Sequence, residues 1–188
     1  MNYTLTRLMN EKTGRIKDIT EQTEYVFLVS LSLLLPLLLR HPQILLGTAV
    51  NYLLISSAFF IKGWKRNLSL AFLPGISALF GNLLFGPFTY FLIFLLPFIW
   101  IGNIILIISI KYLHIHKQIN YFIVLITGTA VKSLWLYLSA YSLHKLGVVP
   151  LMFLKSMGLF QFYTAFFGGL LVFITYKFIN ILQERRIK

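Results

Sequence analysis

The stretch LSLAFLPGISALFGNLLFGPFTYFLIFLLPFIWIGNIILIISI, Leu68 to Ile110, contains no charged residue. A helix needs about 20 apolar residues to cross a bilayer, so this run is long enough for two crossings. Gly86-Pro87 marks the turn between them. Composition extends the reading to the whole chain of 188 residues: 58% are hydrophobic, only 12% are charged, and mean hydropathy is +0.81. A soluble domain carries roughly 25% charged residues. The chain is therefore expected to be an integral membrane protein.

Working outward from the hairpin, Ile44 to Ile61 reads as a crossing that ends at Lys62, Lys65 and Arg66. Tyr25 to Leu39 is a shorter one carrying Pro36, and Ile119 to Leu143 follows the hairpin. After His144-Lys145 the chain reads as a short, partly buried segment near 148–156 and a last crossing at 158–179. The expected fold is an all-α membrane bundle of about six transmembrane helices. Residues 1–24 form a polar N-terminal segment, 25–182 a single transmembrane domain and 183–188 a basic tail. The run after residue 24 ends at Arg40 with no small-residue cleavage site, so no cleaved signal peptide is expected.

The net charge of +12 raises the question of nucleic acid, and its placement answers it. Basic residues fall in short clusters between apolar runs, which is a topological pattern and not a polyanion-binding patch. With the N-terminus in the cytoplasm, only Arg40, Lys145 and Lys155 lie outside and Lys132 within the membrane. All the other Lys and Arg of the 17 then lie inside, as the positive-inside rule requires, and both termini are expected to be cytoplasmic.

The residues most informative about function are polar groups where a bilayer penalises them. Asn51 lies in the second span, Asn82 in the third, Asn103 in the fourth, Lys132 in the fifth and Gln161 at the start of the sixth. Buried amides often join membrane helices, each contributing about 1 kcal/mol or less. Lysine differs, because its burial near the bilayer centre costs roughly 2.5–3.5 kcal/mol. No aspartate or glutamate in the spans can pair with Lys132, and its distance from either membrane face exceeds the reach of a snorkelling side chain. A polar cavity around Lys132 is expected. Gly128, Lys132 and Trp135 share one helix face, and Trp100 and Trp135 are candidates to stack on a planar ligand.

The same inventory argues against catalysis. General acid or base chemistry needs a titratable group at the reacting centre, yet His41, His114, His116 and His144 fall in loops or at span ends, and the spans hold no carboxylate. Cysteine is absent, which removes thiolate metal sites and thiol nucleophiles. Neither a metal nor a cofactor is expected.

The segment LAFLPGISALFGNLLFGPF, Leu70 to Phe88, carries Pro74 and Gly75 and the small-residue pair Ser77 and Gly81. Together with LPFIWIGNIIL (Leu96 to Leu106), AVKSLWLY (Ala130 to Tyr137) and GLFQFYTAFFGGLLVF (Gly158 to Phe173), it resembles the substrate-binding S components of energy-coupling factor transporters. The resemblance covers residues 68–180 and implies capture of a small micronutrient in a cavity near the outer face. It also implies two kinds of partner, a transmembrane coupling subunit and two cytosolic ABC ATPases, in a bacterial cytoplasmic membrane. Such subunits meet the coupling subunit through alanines spaced by four on the first helix, and Tyr25 to Leu39 has no alanine. Ser77 with Gly81 and Ala165 with Gly169 are the small-residue pairs available for contact with a partner helix. Substrate contacts are expected from Lys132, Asn51, Asn82, Asn103, Gln161, Trp100 and Trp135. The alternative is a non-transporting scaffold whose glycine-rich helices and Lys132 contact partner helices.

Overall fold

In lipid every backbone N–H and C=O must find its partner within the protein, so apolar runs fold as helices. The structure, a computed structural model, describes residues 2–39, 42–80 and 86–187, with side chains at 19–39, 42–80, 86–179 and 181. Helices α1 (Asn2–Leu38), α2 (Gln43–Phe60), α3 (Trp64–Phe80), α4 (Leu92–Ile108), α5 (Tyr121–Lys145), α6 (Met152–Met157) and α7 (Leu159–Ile187) follow in order. A 3₁₀ turn, Gly86–Phe91, leads into α4, and a π-helical segment, Ser109–His116, leads out of it. No strand occurs among the described residues.

The protein is an all-α, multi-pass membrane bundle. Among the described residues, five stretches are long and apolar enough to cross a membrane: Ile19–Leu38, Gln43–Phe60, Gly86–His116, Tyr121–Lys145 and Met152–Ile179. Of the expected third span, the structure describes the part up to Phe80. α3 has 17 residues and opens on Trp64, Lys65, Arg66 and Asn67, so its apolar part covers about 20 Å at 1.5 Å per residue, against about 30 Å of hydrocarbon. The residues that would extend it, 81–85, lie outside the described part. The polar N-terminal segment is not a separate element, since α1 continues through it as one helix of 37 residues. The basic tail likewise continues α7 to Ile187.

Side-chain contacts give the directions of the helices. α1 runs parallel to α3, with Tyr25 Oη 2.8 Å from Ser69 Oγ and Ser77 Oγ donating to Leu33 O at 2.5 Å. α4 runs antiparallel to α3 and α5, and α7 runs parallel to α2. The starts of α1 and α5 and the ends of α2, α4 and α7 therefore gather at one end. That end is basic. There Lys111 Nζ donates to Ile61 O (2.6 Å) and Lys62 O (3.2 Å), satisfying carbonyls at the end of α2. Glu21 of α1 accepts from Arg66 Nη1 and from Lys62 N, both at 3.2 Å.

Helices approach closely where glycine removes a side chain. A Cβ on Gly169 would fall 2.2 Å from Leu125 Cδ1, and one on Gly128 would fall 2.9 Å from Ser109 Cβ. Three apolar clusters occur among the described residues, one of them joining Leu28, Leu53, Ile61 and Leu70, and the other two lying at opposite ends of the bundle. Leu54, Ile55, Leu106, Ile110, Leu125 and Ala165 pack at the basic end, and Leu92, Leu95, Leu136, Ala140, Phe153 and Met157 at the other. Asn103 lies one turn before Leu106 and Lys132 one turn before Leu136, so a polar layer separates these two clusters.

Candidate functional site

Lys132 is 2% exposed and is one of the largest fully buried side chains among the described residues. Its Nζ donates to Asn51 Oδ1 at 2.5 Å and to Asn103 Oδ1 at 2.9 Å. The asparagines are held in turn. Asn51 Nδ2 donates to Gly47 O (2.8 Å) and Thr164 Oγ1 (3.3 Å), and Asn103 Nδ2 donates to Ala71 O (2.9 Å). One network thus ties α2, α3, α4, α5 and α7 together. Hydrogen bonds to a charged group contribute on the order of 1.5–3 kcal/mol each. Two of them are comparable to the cost of placing a lysine at the bilayer centre.

Pro74 has no N–H, which removes the backbone donor to Leu70 O and interrupts the ladder of α3 one residue before Ala71. Asn103 serves Ala71 O, and the Trp100 indole donates to Phe72 O at 3.2 Å. Two side chains one turn apart on α4 therefore brace the proline turn of α3.

The network borders a cavity of about 110 Å³ lined by parts of α1, α2, α3, α4, α5, α6 and α7. Its lining includes Pro36, Gln43, Asn51, Asn103, Lys132, Gln161 and Thr164, with Leu46, Val50, Ile99 and Phe160 among the apolar walls. A single water needs roughly 10–15 Å³ of such space, so the cavity has room for several waters or a small ligand. Gln43, Leu92, Met157 and Phe160 lie near the helix ends opposite the basic end. Lys132 is the deep end, about 20 Å from the end of α5 at 1.5 Å per residue.

Of the residues expected to contact substrate, Asn51, Asn103, Lys132 and Gln161 come together here. Gln161 is half-buried, and its side-chain amide makes no hydrogen bond among the described residues. Asn82 lies outside the described residues. Trp100 and Trp135 are not among the described residues that line the cavity. Each is half-buried and turned to a neighbouring backbone, Trp135 Nε1 donating to Phe98 O at 3.0 Å.

Of the small residues expected to meet a partner helix, Ser77, Ala165 and Gly169 pack inside the bundle. Ser77 is buried with its hydroxyl on α1, Ala165 is fully buried in the core, and Gly169 seats Leu125 of α5. Gly81 lies outside the described residues. Thr164 was not anticipated. It lies three residues after Gln161 and so on the same helical face, but threonine in a membrane helix commonly bonds its own backbone and gives little signal.

Compared with protein-family models, characterised proteins and solved structures, the chain matches none of them. The functional reading therefore rests on the site itself. Amide, hydroxyl and amine groups over an apolar wall are suited to hydrogen-bonding a small molecule. No group of three or more His, Cys, Asp or Glu suited to a metal occurs among the described residues.

Proposed function

We propose that the protein is the substrate-capture subunit of an energy-coupling factor importer, holding a small micronutrient in the cavity above Lys132. The observation that carries this reading is the cavity: it gathers buried polar groups from separate helices and lies toward a single end of the bundle. Placing the basic end in the cytoplasm follows the positive-inside rule, so the cavity end faces outward, where a capture subunit meets its substrate. The membrane would be the bacterial cytoplasmic one. In this reading the chain is not an enzyme, and energy comes from a transmembrane coupling subunit and two cytosolic ABC ATPases. Asn51 and Asn103 fix Lys132, and Lys132 and Gln161 offer donors to the substrate.

The scaffold alternative called for Lys132 on a protein-facing surface, and its burial beside a cavity weighs against that reading. The test is purification of the tagged protein from its host in mild detergent, with mass spectrometry of co-purified proteins and small molecules. Recovery of two ATPases, a membrane coupling subunit and a bound small molecule is expected. Recovery of a different membrane complex, with neither ATPase nor ligand, would overturn the reading.

A further inference from the structure

With Nζ protonated, Lys132 brings a positive charge into a site where the described lining side chains are amides, hydroxyls, a thioether and hydrocarbon, with no carboxylate among them. Buried charges are costly unless paired. An ammonium has three N–H groups, and two of them are taken by Asn51 Oδ1 and Asn103 Oδ1. Neither amide can turn its NH₂ toward a ligand without losing bonds to Gly47 O and Thr164 or to Ala71 O. The site thus lacks two things, an acceptor for the third N–H and a single negative charge.

Resting on the capture reading above, we propose that the cavity takes a small monoanion whose carboxylate completes the coordination of Lys132. One fixed charge selects one countercharge. A dianion leaves a charge unpaired in an apolar wall, and an organic cation is repelled. Size limits the body of the ligand. An engineered cavity of about 150 Å³ takes up benzene, so about 110 Å³ holds at most a single ring or a short branched chain against Leu46, Val50, Ile99 and Phe160. A free carboxylic acid and a fatty acid drawn from lipid share the head-group chemistry, and this volume favours the former.

The test uses the full chain in detergent and reads thermal shift and calorimetric affinity for benzoate and butyrate, their amides, succinate, benzylammonium and palmitate. At least one short monocarboxylate should bind tenfold or more tightly than its amide and than succinate. Asn51→Asp places a carboxylate beside Nζ; it gives up the bond to Gly47 O, while the Thr164 hydroxyl is able to turn and donate to it. This variant should melt higher than the ligand-free wild type and lose carboxylate affinity at least 100-fold. Asn103→Asp provides the same internal countercharge if the first variant folds poorly.

Equal or better binding of an amide or of benzylammonium would overturn the anion assignment while leaving substrate capture standing. Preference for palmitate over both short acids would overturn the small-body assignment and make the ligand a lipid. Silence from every compound, with neither aspartate variant more stable than wild type, would overturn the proposal. Failure of the capture reading shows separately, as co-purification without ATPases or ligand.

Discussion

Gly168 of α7 lies against the backbone of α2 at Tyr52: a Cβ built on it would stand 2.8 Å from Tyr52 N and 2.9 Å from Thr48 O. Backbone atoms cannot swing aside as a flexible side chain can, so this contact sets the spacing of the two helices. The same Cβ would lie 3.0 Å from Asn51 Cβ. The contact therefore also sets where Asn51 presents its carbonyl to Lys132.

Gly168→Ala should destabilise the protein by about 1–3 kcal/mol through overpacking, and it should weaken ligand binding by displacing Asn51. Gly63→Ala is the control, because its nearest contact is Arg66 Cδ at an ordinary 3.7 Å. Thermal unfolding in detergent compares the two. A Gly168→Ala protein as stable as Gly63→Ala would contradict the close α2–α7 approach.

The Lys132–Asn103 bond should show as non-additivity. Lys132→Met removes the donor from two buried carbonyls, and Asn103→Leu removes an acceptor from Lys132 and a donor from Ala71 O. Each unsatisfied group costs about 1–3 kcal/mol. The double variant should lose less than the sum by about 1 kcal/mol or more. Strict additivity in unfolding measurements would show that the two side chains do not interact.

Trp100→Phe should lower stability by about 1 kcal/mol, the value of one hydrogen bond, because Phe72 O loses its side-chain donor from α4. Ligand affinity should change less than threefold, since Trp100 does not line the cavity among the described residues. A tenfold loss of affinity at unchanged stability would support the stacking role.

The orientation of the bundle is open to labelling because the chain has no cysteine. Lys117 and Lys145 are both exposed; Lys117 precedes α5 and Lys145 is its last residue, so they mark opposite ends of that helix. In intact cells a membrane-impermeant maleimide should modify Lys145→Cys and spare Lys117→Cys until the membrane is opened. The reverse pattern would place the cavity mouth in the cytoplasm.

The sequence by itself determined the class of fold and most of its crossings. Hydropathy is a local property, and a run such as Ile119 to Leu143 has no other stable form in lipid; the structure gives Tyr121–Lys145. The short segment near 148–156 and the crossing after it were legible for the same reason, and they correspond to α6 and α7. Lys132 stood out because a charge in hydrocarbon is costly wherever its neighbours are.

Its partners were not decided locally. Asn51 and Asn103 meet Lys132 across 81 and 29 residues of chain, and only the packing of α2 and α4 against α5 brings them there. The tryptophans and small residues show the limit from the other side. Helical spacing puts Trp135 on the face of Lys132, but Phe98 O of α4 claims its indole. Ala165 and Gly169 are small whether they meet a partner or their own bundle, and only the seat of Leu125 against Gly169 tells which. A side chain's cost in lipid can be read from its position along one helix, but what relieves that cost comes from other helices and is a property of the tertiary structure.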